Sequence, residues 1–144
     1  MEIPTRRLRD DAVMPRYAHA GDAGADLVAL EECTLAAGGG RALVSTGLSM
    51  ALAPGYAGLV LPRSGLAARH GVTCVNAPGL IDAGYRGEIK VALVNLDPVE
   101  EYRVQPGERV AQLVIVAVTT VAFTAVDVLE DSSRADGGFG SSGR

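Results

Sequence analysis

The sequence predicts an all-β domain of many short strands with one short helix. Glycine and proline, 18 and 7 of 144 residues, punctuate the chain at close intervals, and each Pro-Gly or Gly-rich step is a turn with a dihedral reason. The stretches between them are mostly Val, Ala and Leu, so the core is built from small apolar residues on short segments. No period of about 20–50 residues repeats, which excludes solenoids and propellers. The length fits one domain with a core large enough to fold without disulfides.

Taken in order, residues 1–16 offer Ile3 and Leu8 as strand anchors. The Gly- and Asp-rich segment 18–30 turns strand-like at Leu27. Turns follow at Gly38-Gly39-Gly40, Pro54-Gly55, Pro78-Gly79 and Pro106-Gly107. Strands are expected over 41–52, 56–61, 89–96 and 110–118. The last is apolar on both faces and belongs in the core or at a subunit interface. The one helix candidate is 64–70, with Ser64 as its cap, Ala67 and Ala68 inside it and Gly71 as its stop. After Leu129 almost nothing is apolar enough to bury, and composition reads that end as a disordered tail. The chain divides accordingly into 1–129 and 130–144.

The hydrophobic fraction of 48% and charged fraction of 21% are those of a soluble protein. No apolar run approaches the roughly 18 residues of a membrane span, and MEIPTRRLRD has no secretory h-region. No membrane partner is therefore expected. The net charge of −4 argues against a long nucleic-acid footprint, yet permits a local phosphate site. Basic residues are 12 Arg and one Lys, beside 22 Ala, a pattern of GC-rich coding. Only a few of those arginines can have been chosen for bidentate phosphate contacts. Cys33 and Cys74 have neither zinc-knuckle nor thioredoxin spacing and read as packed thiols, with a cytoplasmic location following.

Four segments are richer than turns require. Gly21-Asp22-Ala23-Gly24-Ala25-Asp26 sets two carboxylates four residues apart, able to hold a hard cation directly or through water, or simply to form an Asp/Gly turn. Pro62-Arg63-Ser64-Gly65 follows a strand and opens the helix, aiming amides, a guanidinium and a hydroxyl at one point: an anion cradle or a capped turn. Residues 76–88, NAPGLIDAGYRGE, suggest a hairpin with exposed backbone at its tip. There Asp82 is either a general base at the mouth of an apolar pocket or a turn cap, and Tyr85 either a pocket wall or a packed aromatic. The tail Arg134-Ala135-Asp136-Gly137-Gly138-Phe139-Gly140-Ser141-Ser142-Gly143 is either a phosphate-cradling strap with a stacking ring or a linker. A cation site, two phosphate cradles, a base and a stacking aromatic together fit hydrolysis of a nucleoside polyphosphate.

At these same segments the chain resembles the trimeric dUTPase family over nearly its whole length. The motifs are AGDAGADL at 20–27, PRSGLA at 62–67, residues 76–88 with IDAGYRGEI intact, GERVAQL at 107–113, and GGFGS at 137–141. The resemblance implies a β jelly roll and a homotrimer whose three active sites each use all three subunits, the arm 130–144 closing over a neighbour. It implies hydrolysis of dUTP to dUMP and pyrophosphate with Mg2+. By position, Asp82 activates water, and Tyr85 packs on the deoxyribose and excludes a 2′-hydroxyl. Asn76 and the backbone around Leu80, Ile81 and Lys90 read uracil. Arg63, Ser64, Gly65 and Gln112 hold phosphates, and Asp26 meets magnesium through water. Arg134 and Phe139, with Gly140 and Ser141, clamp the γ-phosphate and cover the base. The family's Gly after the arm arginine is here Ala135, which is strained if φ must be positive.

Two other readings compete. A dCTP deaminase shares the fold but needs a Glu on the strand after the catalytic segment, where this chain has Ala92. A non-catalytic nucleotide-binding trimer would have no use for Asp82.

Overall fold

The computed structural model describes residues 1–132 and 135. Among the described residues, eleven strands and one helix follow one another as β1 (Thr5–Arg7), β2 (Ala25–Val28), β3 (Cys33–Leu35), β4 (Arg41–Ser45), β5 (Leu48–Met50), β6 (Tyr56–Pro62), α1 (Ser64–His70), β7 (Val72–Cys74), β8 (Gly79–Ile81), β9 (Lys90–Asn95), β10 (Tyr102–Val104) and β11 (Arg109–Ala117). Every pairing between them is antiparallel. Two sheets dominate, one ordered β2-β11-β6-β8 and the other β4-β9-β7; β1 pairs with β5 and β3 with β10.

The predicted class holds, and the differences in detail have physical causes. The expected strand 41–52 is two strands, because Gly47 takes φ +67 and sends the chain from the β4-β9 ladder to the β5-β1 ladder. Residues 76–88 do not form a hairpin of their own. β8 pairs with β6 and β9 with β4 and β7, so the segment crosses from one sheet to the other. The short strands β3, β7 and β10 carry three residues each, too few for a period to register.

Helix α1 begins and ends where its signals fall, but Ser64 is its first residue and Arg63 occupies the cap position without a side-chain cap bond. Gly71 stops it in the left-handed region, φ 64, its N–H returning to Ala67 and Leu66 carbonyls.

Leu27, Leu35, Leu48, Val72, Val91 and Leu93 lie at the centre of one continuous core, each nearly or wholly removed from water. β11 runs through the middle of its sheet, between β2 and β6. Val110, Ala111 and Leu113 are buried; Val114, Ile115 and Val116 are only partly covered. Past β11 the chain leaves the body. Phe123 is 96% exposed and Leu129 81%, with Val121, Val126 and Val128 also in the open. Among the described residues, no helix is long and apolar enough to cross a membrane.

Candidate active site

Predicted site residues fall into two groups. The first lines a cleft of about 150 Å³ where the chain crosses between the two sheets: Asn76, Leu80, Ile81, Asp82, Tyr85 and Lys90. The β6-β8 ladder supplies one wall, through Val60 and Gly79, and the start of β9 the other, through Lys90 and Ala92. Leu80 points outward from a three-residue strand while its neighbours Gly79 and Ile81 are buried, the alternation of a half-covered β-strand. Asp82 follows directly, and its carbonyl accepts the Tyr85 N–H at 3.0 Å, closing a tight turn. Tyr85 is 45% exposed. Its hydroxyl donates to the Glu88 carbonyl at 2.8 Å. Gly87 permits this: a Cβ there would stand 2.5 Å from the Tyr85 oxygen.

The second group gathers at the other end of β6. Asp26 on β2 pairs across the ladder with Gln112 on β11. Sequence reading put Asp26 in a Gly-rich loop, yet it lies within a strand and is 7% exposed. Arg109 Nη1 donates to Asp26 Oδ2 at 3.1 Å, and Arg63 Nε stands 3.5 Å from Oδ1. Arg63 also donates from Nη1 to the Arg109 carbonyl at 2.9 Å. Two guanidinium groups around one carboxylate leave a net positive charge. Beside them Arg63 O receives the amides of Leu66 and Ala67, so the Ser64 and Gly65 amides precede the ladder and are open to an anion.

Asp26 Oδ1 is buried and accepts no hydrogen bond among the described residues. Among those residues no cluster of three or more His, Cys, Asp or Glu could cage a metal ion. The orphaned Asp26 oxygen is the one that would accept from a water of a magnesium ion, with the phosphates of a bound substrate offsetting the two guanidinium groups. Burial raises the Cys33 and Cys74 thiols above their ordinary range, as packed rather than reactive cysteines require.

The two groups lie toward opposite ends of β6. Ile81 pairs with Gly58 at the beginning of β6, whereas Arg63 follows Pro62 at its end. Asp82 is thus offset from Arg63 by six residues along β6, about 20 Å at the rise of an extended strand. Groups that act on the same reacting atom must all come within hydrogen-bond reach of it.

Arg134, Phe139, Gly140 and Ser141 lie outside the described residues. Sequence reasoning gave no role to Arg109 or Gly87. Arg109 leads an otherwise uncharged strand and Gly87 follows Tyr85-Arg86, both visible only as context.

The family model for dUTPase matches residues 10–143. The chain belongs to the dUTPase family. It is 58% identical over 143 residues to the deoxyuridine 5'-triphosphate nucleotidohydrolase of Thermobifida fusca, covering 99% of this chain and 79% of that one. The protein of the same name from Streptomyces avermitilis is 56% identical, with 99% and 81% covered. Among solved structures, the Staphylococcus bacteriophage 80alpha dUTPase with dUpNHpp superposes with a TM-score of 0.92 at 29% identity, covering 99% of both chains. The D95N mutant dUTPase of phage phi11, described with a structural Mg(II) ion, gives 0.81 at 26% identity, covering 91% of this chain and all of the other. The dUTPase fold of this chain is accordingly a β jelly roll.

Proposed function

We infer that this chain hydrolyses dUTP to dUMP and pyrophosphate, at sites shared between the subunits of a homotrimer. Family membership supports the reaction. The observation that carries the shared site is the separation of Asp82 from Arg63 along β6. A second copy must bring its phosphate-holding group to the cleft of the first. The bare apolar segment after β11, with Phe123 and Leu129 exposed, fits an arm that docks on another subunit.

In this mechanism the uracil enters the cleft, where Asn76 and the backbone around Leu80, Ile81 and Lys90 hydrogen-bond its edge. The Tyr85 ring lies along the deoxyribose and leaves no room for a 2′-hydroxyl. Asp82 takes a proton from a water that attacks the α-phosphorus in line. Arg63, Ser64, Gly65 and Gln112 of a neighbouring copy hold the phosphates, and the pyrophosphate departs. Asp26 would hold magnesium, which would supply neutralisation of charge on the phosphates. Arg134, Phe139, Gly140 and Ser141 are assigned to closure over the γ-phosphate and base. Two free thiols suit a reducing compartment, and the cytoplasm is our assignment.

Deamination of dCTP is disfavoured because Ala92 lines the cleft where an acid would be needed. Offering dUTP and dCTP side by side and measuring pyrophosphate and ammonia tests the reading. We expect pyrophosphate from dUTP alone; ammonia from dCTP, or no turnover of either, would overturn it.

A further inference from the structure

The loop 82–88 carries both Asp82 and Tyr85, yet most of its side chains are in water. Its fixed point is the turn between β4 and β5. Ser49 Oγ donates to the Arg86 carbonyl at 2.7 Å, and Ile89 N to the Leu48 carbonyl at 2.7 Å. Thr46 Oγ1 donates to the Ile89 carbonyl at 2.6 Å, and Gly47 N to Glu88 Oε1 at 2.9 Å. This anchor is rigid. Thr46 and Leu48 are buried, and a Cβ on Gly47 would stand 2.9 Å from both Ala12 Cβ and Leu30 Cδ2.

Of these four bonds, the one from Gly47 is made by a side chain of the loop segment. Glu88 reaches the anchor with its carboxylate and holds the Tyr85 hydroxyl with its own backbone carbonyl, at 2.8 Å. Tyr85 is nearly half-exposed, and the hydrogen bond to that carbonyl is the polar contact that orients its ring. Glu88 Oε2 also stands 3.5 Å from Lys90 Nζ.

We propose that Glu88 is a positioning residue for sugar selection: its carboxylate, anchored on the Gly47 amide, fixes the Tyr85 ring against the 2′-carbon of the substrate. This rests on the functional reading above. The anchoring bond depends on length, because the acceptor oxygen must reach Gly47 N. The contact with Lys90 depends on charge. Two conservative variants separate these. Glu88→Asp keeps the charge and draws the oxygen back by about 1.5 Å, one C–C bond. Glu88→Gln keeps the length and an acceptor oxygen, and loses the charge.

The test measures kcat and KM for dUTP and UTP with wild type and both variants, with melting temperature and trimer mass as controls. In Glu88→Asp, kcat/KM for UTP relative to dUTP rises by at least roughly fivefold. The dUTP loss falls on KM, with kcat changed by no more than about twofold, since the base is untouched. Glu88→Gln keeps the wild-type ratio within about twofold. A wild-type ratio in Glu88→Asp overturns the proposal, as does an equal or larger shift in Glu88→Gln. Failure of Glu88→Asp to fold would make the role one of stability and also overturn it. A wild type that does not turn over dUTP overturns the functional reading itself, whereas normal turnover with unshifted selectivity removes this proposal alone.

Discussion

Arg109 and Asp26, 83 residues apart in sequence, form a charge-assisted hydrogen bond of 3.1 Å across the β2-β11 edge. Arg63, at the cap of α1, approaches the same carboxylate at 3.5 Å. Replacing Asp26 by Asn leaves two guanidinium groups crowded around a neutral amide. Arg109 is half-exposed, which lets water relieve part of the cost. We expect a stability loss of about 1–3 kcal/mol, below that of breaking a fully buried pair. Chemical denaturation measures it. An unchanged midpoint would mean that the pair behaves as an ordinary surface contact.

Subunit mixing tests the shared site. Asp82→Asn removes the proposed base and should lower kcat by roughly 10²–10⁴. Arg63→Ala should also inactivate, through loss of phosphate holding. If base and phosphate clamp come from different subunits, mixed trimers regain intact sites. With random equal mixing and cyclic symmetry, about one site in four combines an intact Asp82 with an intact Arg63. Denaturing the two inactive proteins together and refolding them should therefore restore up to about a quarter of wild-type activity. Continued inactivity in mixtures that form trimers would return both groups to one chain.

What the sequence disclosed depended on how local the signal was. Helix α1 was legible because Ala67, Ala68 and Gly71 are neighbours in the chain and act on one another's backbone. The break at Gly47 was not: residues 41–52 look like one strand until the partners β9 and β1 are known. The motifs were legible as chemistry, from residue types and from family likeness. Their distribution over two ends of β6 was not, since it follows from register. Asp26 illustrates both: its carboxylate stood out among glycines, but its burial between two arginines needed β11 and β6 beside it.

The Tyr102–Glu108 contact predicts an alkaline dependence of stability. Burial first, and then the hydrogen-bonded Glu108 carboxylate, push the Tyr102 phenol up to about 12 from 10.0. Between those values the unfolded chain has lost the phenolic proton and the folded chain keeps it. The contribution is fully present below the lower value and is lost as pH rises through the upper. Tyr102→Phe cannot titrate there. The stability advantage of wild type over Tyr102→Phe should therefore shrink between about pH 10 and 12. Thermal melts of both proteins across that range decide it; a constant gap would show that the phenol is not perturbed by folding.

Ala135 supplies the last prediction, where the chain departs from the family's glycine. Its φ is 46, and its N–H meets the Ser132 carbonyl at 3.0 Å and Ser132 Oγ at 3.1 Å. An L-residue in that region costs about 1–2 kcal/mol from the Cβ against the following carbonyl oxygen. Glycine removes the strain but costs roughly 0.5–1 kcal/mol in chain entropy when ordered. The two oppose each other, and strain relief wins by about 0.5–1 kcal/mol, a factor of roughly two to five. If this turn forms as the arm closes on substrate, Ala135→Gly should lower KM for dUTP by that factor. Its kcat should change less, because Asp82 and Arg63, the proposed base and phosphate holder, are elsewhere. The body's melting temperature should stay constant, since residue 135 is exposed and outside the core. Steady-state kinetics beside a thermal melt separate these quantities. An unchanged KM would mean that the left-handed turn at Ala135 is not part of closure, and a higher KM that the entropy of the freed arm outweighs the strain it loses.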